Sequence, residues 1–431
     1  MELQNQYRQN CTAYIAAYAV MGIINGLIYD VLVTYLMLVS PSMAKSVASF
    51  MGAATFGAAV IAVLAPKVGY KKLLQLAAVS ILTALLAIPN LQNPWLLGMG
   101  LLLLITGTTL FDVMLPPFIA AYTTASSRAA TFTKVSFAGT LGLVLGTFMG
   151  GPLVIWLFSR KLHETFSVAR ALTAFLDKLQ PAQYTFYIDS YRTVIMVFAV
   201  LSILMLGALS FIKEVPREAE HTEKPQKGRN ASLGGLLNRY ALVFLVYSAL
   251  ARFTSALIVP QVSVYLTKLG LNRAAVSVMG TLQYVAILAF MLFSIRIVQK
   301  FGQVYTIVGL TFASVPFIVI MANASHFESH TALVVGTALF FRAGLSNAVI
   351  PAVNALTMEL VPQSSRALYS SLVFVVQSIV QVLAGLFASF FLFKTDSGYA
   401  NAYYYAAVLY VVAHVLLLLF FGKRRSLPQM S

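Results

Sequence analysis

The sequence predicts an all-α, polytopic membrane protein, and three observations support this fold class. Of its 431 residues, 59% are hydrophobic and only 10% are charged, whereas about a quarter of the residues of a soluble globular protein are charged. Apolar runs of roughly 20 residues recur along most of the chain, and each is long enough to cross a hydrocarbon core of about 30 Å. Features of the first half also return in the second half at a nearly constant offset. We therefore expect membrane spans and not soluble domains.

Six apolar runs in the first half are bounded by Pro, Gly, Asn or basic turns. They predict helices at Ala13 to Leu38, Ser46 to Ala65, Leu73 to Ile88, Trp95 to Tyr122, Phe132 to Phe158 and Thr193 to Ile212. The second half predicts helices at Tyr240 to Leu266, Ala274 to Val298, Tyr305 to Met321, Ala332 to Leu356, Ala367 to Phe393 and Ala402 to Phe421. A helix satisfies its own backbone hydrogen bonds, as the lipid interior requires. The chain is thus predicted to cross the membrane twelve times.

An internal repeat relates the two halves. Residues 342–366 read RAGLSNAVIPAVNALTMELVPQSSR, which places an arginine, a kinking proline and two asparagines in an otherwise apolar helix. A weaker copy lies 235 to 238 residues earlier, where Gly107, Pro116 and Arg128 correspond to Gly344, Pro351 and Arg366. The weaker copy contains Asp112 and lacks the arginine, so the two halves differ in charge.

The basic residues predict the orientation in the membrane. With the N-terminus inside, the inside segments hold eighteen Lys and Arg residues and the outside segments hold nine, among them Arg273 before the eighth helix. Because positive charge accumulates in cytoplasmic loops, we expect a cell-membrane protein with both termini cytoplasmic. Residues 213–239 are polar and charged, which predicts a flexible cytoplasmic linker between one bundle at 1–212 and another at 240–431.

The longest outside loop, residues 159–191, contains apolar residues at helical spacing: Val168, Leu172, Phe175, Leu176 and Leu179. This pattern predicts a short amphipathic helix on the outer membrane surface or against the outer mouth of the protein. Such a helix can serve packing alone or can cover a substrate path.

The sequence also excludes several function classes. A net charge of +16 can attract nucleic acid, but the basic residues lie mainly in short turns between spans, so we expect no nucleic-acid partner. Cys11 is the only cysteine and the five histidines lack metal-ligand spacing, so we expect no disulfide, metal site or other cofactor. No phosphate-binding Gly-x-x-x-x-Gly-Lys loop and no enzyme motif is present, so we do not expect an enzyme.

Two short basic turns carry a family resemblance. The chain reads LAPKVGYKK after the second helix, with Lys67, Gly69 and Lys71, and VQKFGQ after the eighth, with Lys300 and Gly302. With the twelve spans and the repeat, these turns resemble the cytoplasmic loop signature Gly-x-x-x-Asp-Arg-x-Gly-Arg-Arg of the major facilitator superfamily. Pro66 stands where that signature has its acid. The fifth helix, with Gly142, Gly146, Gly150, Gly151 and Pro152, looks like a degenerate glycine-proline signature of antiporters, or serves tight helix packing.

The resemblance implies two pseudo-symmetric six-helix bundles. In this family helices 1, 4, 7 and 10 line a central cavity that opens alternately to each side of the membrane. The residues of the basic turns and those at cytoplasmic helix ends are then expected to gate the cavity: Lys67, Gly69, Lys71, Arg128, Lys300, Gly302, Glu359 and Arg366.

Four charged residues lie deep in the predicted spans, one in each of the four cavity helices: Asp30, Asp112, Arg252 and Arg342. Charges inside a membrane are costly and mark a pathway or an ion pair. The two acids can bind and release protons or hold a cationic group. The two arginines do not titrate usefully, so they can hold a substrate carboxylate or phosphate, or pair with the acids across the bundles.

Further polar groups accompany these charges. Asn347 and Asn354 on the tenth helix are candidates for the cavity lining, whereas Gln377 and Gln381 on the eleventh are expected to join helices. Our leading hypothesis is a proton-coupled transporter that exports small amphipathic, drug-like compounds by antiport, as a monomer among membrane lipids. The alternatives are uptake of an organic anion or sugar by proton symport, a lipid or glycolipid flippase, and a sensor without transport activity.

Overall fold

The computed structural model describes residues 2–62, 64–123, 125–176, 179–213, 238–361 and 366–422. The residues of the predicted linker between 214 and 237 lie outside this range, so the linker stays a prediction. The described part is almost entirely helical, and it has a helix at each of the twelve predicted positions.

In the N-terminal half, helix 1 runs over Glu2–Leu27 and continues through a π-helical turn, Ile28–Leu32, into Val33–Val39. Helices 2 to 6 are Val47–Ala62, Tyr70–Ala87, Pro94–Tyr122, Ala125–Leu162 and Pro181–Ser210. In the C-terminal half, helix 7 comprises Arg239–Ile258, a 3₁₀ turn at Val259–Gln261, and Val262–Lys268. Helices 8 and 9 are Arg273–Phe301 and Gln303–Ala322, and helix 10 comprises Thr331–Asn347 and Ile350–Glu359. Helix 11 is Arg366–Phe387 with a π-helical turn at Ala388–Leu392, and helix 12 is Ser397–Phe421.

Eleven of these helices are long and apolar enough to cross a membrane, and helix 2 is a shorter apolar helix of 16 residues. Helix 6 begins at Pro181, twelve residues before the predicted start at Thr193. The polar residues that suggested a loop there are accommodated, because Gln180 and Gln183 form a capping box and Arg192 pairs with Asp189 one turn earlier at 3.2 Å. Helix 10 breaks just before Pro351, which cannot donate a backbone hydrogen bond and excludes a regular helix there.

Glycines permit the closest helix contact in the N-terminal half, between helices 1 and 5. A Cβ atom added to Gly22 would lie 2.0 Å from the carbonyl oxygen of Gly139, and one added to Gly142 would lie 2.1 Å from that of Ala19. A Cβ added to Gly146 would lie 2.2 Å from the carbonyl oxygen of Ile23. The tight packing predicted from the glycines of helix 5 is thus present, with helix 1 as the partner.

The predicted outer amphipathic helix is present as Phe166–Leu172, and its apolar face agrees with the prediction in part, since Leu172, Leu176 and Leu179 pack partly buried against the core. Val168 and Phe175 are exposed, whereas Ala169 and Thr173 are buried. The backbone N–H of Arg273 donates to the hydroxyl of Thr173 at 3.1 Å, so this segment packs on the start of helix 8 in the other half.

Twelve crossings return the chain to the side on which it began. We call that side, which carries both ends of the chain, the terminal side, and the opposite side the distal side. Hydrogen bonds join the two halves near the distal ends of the helices: Ser46 with Ser389, Ser49 with the carbonyl of Val382, Gln261 with that of Ala44, and Ser263 with that of Tyr29. The structure therefore represents a state in which the halves are closed together on the distal side.

Candidate functional site

The first charged cluster lies at this distal closure and contains Asp30. The π-helical turn of helix 1 places Asp30 against the start of helix 8, where Arg273 approaches it with 2.5 Å between Nη2 and Oδ2. Ser277, one turn further along helix 8, donates its hydroxyl to the same carboxylate oxygen at 2.6 Å. Asp30 and Arg273 are each only 2% exposed, so this is a fully buried ion pair between the two halves.

Small residues of helix 5 make room for this cluster. A Cβ atom on Gly150 would lie 3.1 Å from the carboxylate of Asp30, and one on Gly151 would lie 2.0 Å from the hydroxyl of Ser277. The guanidinium of Arg273 lies 5.9 Å from the ring centre of Tyr191. The cluster thus combines parts of helices 1, 5, 6 and 8, which span both halves.

The sequence analysis proposed Arg252 and Arg342 as possible partners of Asp30, and the structure assigns that place to Arg273. Arg273 was counted among the basic residues of outside loops because it follows the turn residue Asn272. In the structure, Asn272 is the N-cap of helix 8, and Arg273 is its first residue. No sequence signal distinguishes such an arginine from an ordinary loop residue.

The second charged cluster contains Asp112, which has a different environment. The Tyr18 hydroxyl of helix 1 donates to Asp112 Oδ1 at 2.6 Å, and the Asp112 side chain is exposed. Tyr29 lies within electrostatic range of both Asp112 and Arg252. Asp112 is thus an exposed carboxylate in the body of helix 4, bonded to helix 1. We take the region around Asp112 as the candidate cavity.

Arg252 is held on the C-terminal side of this cavity by helix 11. Its Nε and Nη2 atoms donate to Oε1 of Gln381 at 3.0 and 2.6 Å, and Gln377 donates to the Ser248 hydroxyl at 2.7 Å. The role predicted for the two glutamines is confirmed, since both join helix 11 to helix 7. Gln381 orients the guanidinium but carries no charge of its own to neutralise it.

Arg342 is only 2% exposed, and its Nε atom has no hydrogen-bond partner in the described part of the chain. Three tyrosines of the C-terminal half lie within electrostatic range of it: Tyr284 of helix 8 and Tyr403 and Tyr410 of helix 12. Ser346, its predicted polar neighbour, donates to the Arg342 backbone carbonyl at 2.6 Å. Among the described residues, no carboxylate forms an ion pair with Arg342 or Arg252.

The two asparagines of helix 10 have different positions. Asn347 donates to the carbonyl of Ala343 in its own helix at 2.8 Å. Asn354 is exposed and lines a small cavity of about 70 Å³ with Ser248, Thr357 and Gln377. Asn354 therefore belongs to the polar lining between helices 7, 10 and 11.

The predicted gating residues are described in part. Gly69 and Gly302 have φ angles of 94° and 82°, which explains why glycine occupies both turns. Lys71 donates to the carbonyl of Ser210 at 2.8 Å, and Gln303 donates to Glu359 at 2.8 Å. The first contact lies within the N-terminal half and the second within the C-terminal half, so neither joins the two halves.

The remaining gating residues carry less information. The amino group of Lys300 lies 5.2 Å from the ring centre of Phe301. The side chains of Lys67, Arg128 and Arg366 lie outside the described residues. Gating by this set stays a prediction.

Sequence reasoning missed two kinds of functional residue in these clusters. Arg273 was assigned to a loop, and the tyrosines around Asp112 and Arg342 were not selected. Tyrosine is common in membrane helices and gives no distinct pattern, so only its position beside a buried charge indicates a role. Tyr18 also depends on Gly139 of helix 5, where a Cβ atom would lie 2.3 Å from its ring.

Comparison with solved structures shows the same fold over nearly the whole chain. A variant of the nucleoside transporter NupG superposes with a TM-score of 0.71 at 12% identity, covering 97% of this chain and 100% of that one. A D-xylose–proton symporter gives a TM-score of 0.71 at 16% identity, with 95% and 96% coverage. A bacterial homologue of the human lysosomal transporter Spinster, in an inward-facing conformation, gives 0.64 at 13% identity, with 97% and 95% coverage.

Sequence comparison supports the same assignment. No curated protein was matched by sequence. The family model described as Major Facilitator Superfamily matches residues 244–430, which cover helix 7 from its second turn to the end of helix 12. The C-terminal half of the chain therefore matches the Major Facilitator Superfamily model in sequence, and the chain as a whole shares the fold of the solved transporters named above.

Proposed function

We propose that this protein is a proton-coupled secondary transporter that works by alternating access, with Asp112 as the proton-carrying group. The exposed carboxylate of Asp112 in the body of helix 4, bonded to Tyr18 and without an ion-pair partner among the described residues, is the observation that supports this proposal most strongly. A carboxylate open to water and free of a salt bridge can exchange protons with the aqueous phase. Protonation also changes the charge of the cavity by one unit, which can bias the equilibrium between two conformations.

The nearby guanidinium of Arg252 makes the net charge of the cavity depend on whether Asp112 is protonated. Because Tyr29 lies within electrostatic range of both Asp112 and Arg252, the two charges share one region between helices 1, 4 and 7. When Asp112 is ionised, it partly compensates the guanidinium. When Asp112 is protonated, the cavity becomes more positive, and its affinity for a charged solute changes in a direction set by that solute.

The buried pair of Asp30 and Arg273 supplies the gate on the distal side. Opening that side separates the two charges and releases Ser277 from the carboxylate. Breaking a buried ion pair while one charge stays buried costs about 3–5 kcal/mol. In an opened distal mouth, water can solvate both charges, so the two access states can have similar free energies.

Two transport modes follow from this arrangement. Export of drug-like amphipathic compounds by antiport requires that proton and substrate compete for the Asp112 region. Uptake of an organic anion by symport requires positive charge in the cavity when Asp112 is protonated. Arg252 and Arg342, which form no ion pair with the described residues, favour the second mode. The structural neighbours named for nucleosides and for D-xylose with protons show that the fold accommodates small polar solutes.

The test uses the purified full chain in liposomes that contain a pH-sensitive dye, with an imposed pH gradient and a panel of anionic, cationic and uncharged solutes. We expect one solute class to evoke proton movement, and Asp112→Asn to reduce that movement by about 100-fold or more, because a positioned proton acceptor typically contributes this much to a proton-transfer rate.

The matched control is Asp396→Asn. Asp396 is an exposed distal acid bonded to Lys268, outside the cavity. Solute transport with full proton coupling in Asp112→Asn would overturn the proposal. Equal loss in both variants would also count against it, since the effect would then not be specific to the cavity.

A further inference from the structure

We infer that Arg342 and Tyr403 form an anion-binding site, so that the transported solute carries a carboxylate or a phosphate. That the bound anion is the transported solute rests on the proposed function. The binding site itself rests on charge and burial. Arg342 is only 2% exposed, and burial of a charge without a partner is costly in any protein.

The charged residues inside the bundle carry more positive than negative charge. The interior of the described helices holds the acids Asp30 and Asp112 against the arginines Arg252, Arg273 and Arg342. Arg273 neutralises Asp30 through their ion pair. One acid then remains for two arginines, and that acid loses its charge whenever it binds a proton. The interior is positive in either state of Asp112.

The two arginines that remain, Arg252 and Arg342, differ in their hydrogen-bond partners. Arg252 is bonded twice to Gln381 and shares the neighbourhood of Tyr29 with Asp112. Arg342 has no carboxylate and no amide bonded to it among the described residues, and its Nε atom is buried without an acceptor. An unpaired guanidinium inside a membrane bundle costs several kcal/mol, so an acceptor from outside the chain is the simplest explanation for its retention.

A tyrosine near Arg342 also has an unused hydrogen-bond donor. The hydroxyl of Tyr403 is also buried and has no hydrogen-bond partner in the described part of the chain, and this tyrosine lies within electrostatic range of Arg342. Tyr410, by contrast, is already bonded to Ser255. A guanidinium N–H and a phenol O–H that are both buried, both without a partner among the described residues and within electrostatic range of each other match the oxygen atoms of a carboxylate or a phosphate. A cationic or purely apolar ligand would leave both donors unpaired.

Tyr284 connects this site to the distal gate. It lies within electrostatic range of Arg342, Tyr29 and Asp30. A negative charge at Arg342 therefore changes the electrostatic environment of the carboxylate that holds the gate. If anion binding at Arg342 favours one access state, opening of the distal side must change the affinity for the anion by the same factor.

The experiment measures ligand-dependent thermal stabilisation of the purified full chain, with no pH gradient. The probes are aliphatic and aromatic carboxylates and the corresponding phosphate monoesters, each matched with its uncharged amide or alcohol and with an amine of the same size. We expect the strongest stabilisers to be anions. The carboxylate and phosphate arms then identify which of the two acids is bound.

Arg342→Gln should weaken binding of the best anion by about tenfold or more, because a charge-assisted hydrogen bond contributes about 1.5–3 kcal/mol and each 1.4 kcal/mol is tenfold. Arg342→Lys should retain part of the affinity, since it keeps the charge and loses the planar fork. Tyr403→Phe should weaken binding less than Arg342→Gln.

A second measurement separates binding from a structural role. If Arg342 is unpaired in the empty protein, Arg342→Gln removes a buried, uncompensated charge, and the thermal midpoint without ligand should rise. A fall in that midpoint would indicate a structural partner and would overturn the inference. So would stabilisation mainly by amines or uncharged probes, stabilisation by none, or anion binding that Arg342→Gln leaves unchanged.

The experiments distinguish failure of the anion-site inference from failure of the proposed proton coupling. Loss of proton coupling is read with Asp112→Asn under a gradient, whereas anion binding is read with Arg342→Gln without one. A protein that binds anions but moves no protons would sustain the site and refute the coupling.

Discussion

Asp30 and Asp112 are acids on cavity helices of the N-terminal half, and they differ in burial and in bonding partners. Asp30 is 2% exposed and bonded to Arg273 and Ser277 of the other half. Asp112 is exposed, and its hydrogen bond comes from Tyr18 of its own half. The first acid joins the halves, and the second is open to water and to solutes.

The difference shows that a charge inside a membrane protein is not assigned a role by its residue type. A buried carboxylate that is paired with a guanidinium of the other half, as Asp30 is through Oδ2, acts through the contact that it holds together. A carboxylate bonded only to a neutral hydroxyl keeps acceptor capacity. The distal gate that we propose at Asp30 and the proton site that we propose at Asp112 are different residues, so substitutions can test them separately.

The largest effect is expected from Asp30→Asn, which leaves Arg273 buried without its counter-ion. We expect the distal-closed state to lose about 3–5 kcal/mol relative to the open state. The measurement is labelling of Ser263→Cys, a distal interface position, by a membrane-impermeant maleimide in a Cys11→Ser background. Labelling should rise steeply with Asp30→Asn.

The control for this prediction is the double variant Asp30→Asn with Arg273→Gln. Removing both charges leaves two neutral side chains that can bond to each other, so much of the closure should return. Labelling of the double variant that equals or exceeds that of the single variant would contradict the role of the ion pair.

A smaller effect is expected from Gly151→Ala, which changes no charge. The added Cβ would lie 2.0 Å from the Ser277 hydroxyl and 2.8 Å from the Arg273 carbonyl, so helices 5 and 8 must separate. Overpacking of this kind costs about 1–3 kcal/mol. The same labelling assay should report partial distal opening. Gly207→Ala is the matched control, because nothing lies within 4 Å of its added Cβ. Equal labelling of both variants would show that the contact does not hold the gate.

The smallest effect is expected from Tyr18→Phe, which acts on the other acid. The ionised form of Asp112 loses a donor worth about 1 kcal/mol, so Asp112 retains its proton to higher pH. The pH profile of solute-evoked proton movement should shift to higher pH by up to about one unit. Distal labelling should stay unchanged. Tyr14→Phe, which removes a hydrogen bond to the Phe111 carbonyl, is the control. A profile that moves with Tyr14→Phe and not with Tyr18→Phe would separate Tyr18 from Asp112.

The sequence predicted the helices well because the signal is local. Apolar runs and the Pro, Gly and Asn residues between them indicate where a chain can cross lipid, and a helix lies at each predicted position. The errors occur where local polarity was overridden by a neighbour. The start of helix 6 looked like a loop until the pair of Asp189 and Arg192 accounted for its charges.

For the candidate site, the sequence by itself determined which residues are costly to bury: Asp30, Asp112, Arg252 and Arg342. It also determined that they lie on helices 1, 4, 7 and 10, because a charge in an apolar run is visible without a structure. Only the tertiary structure decided their partners and their access to water. Arg273 pairs with Asp30 across 243 residues of chain, and Arg342 and Tyr403 each have a buried donor without a partner among the described residues. Such relations depend on which helices pack together and on the space between them, and neither is encoded in the spacing of residues along one helix.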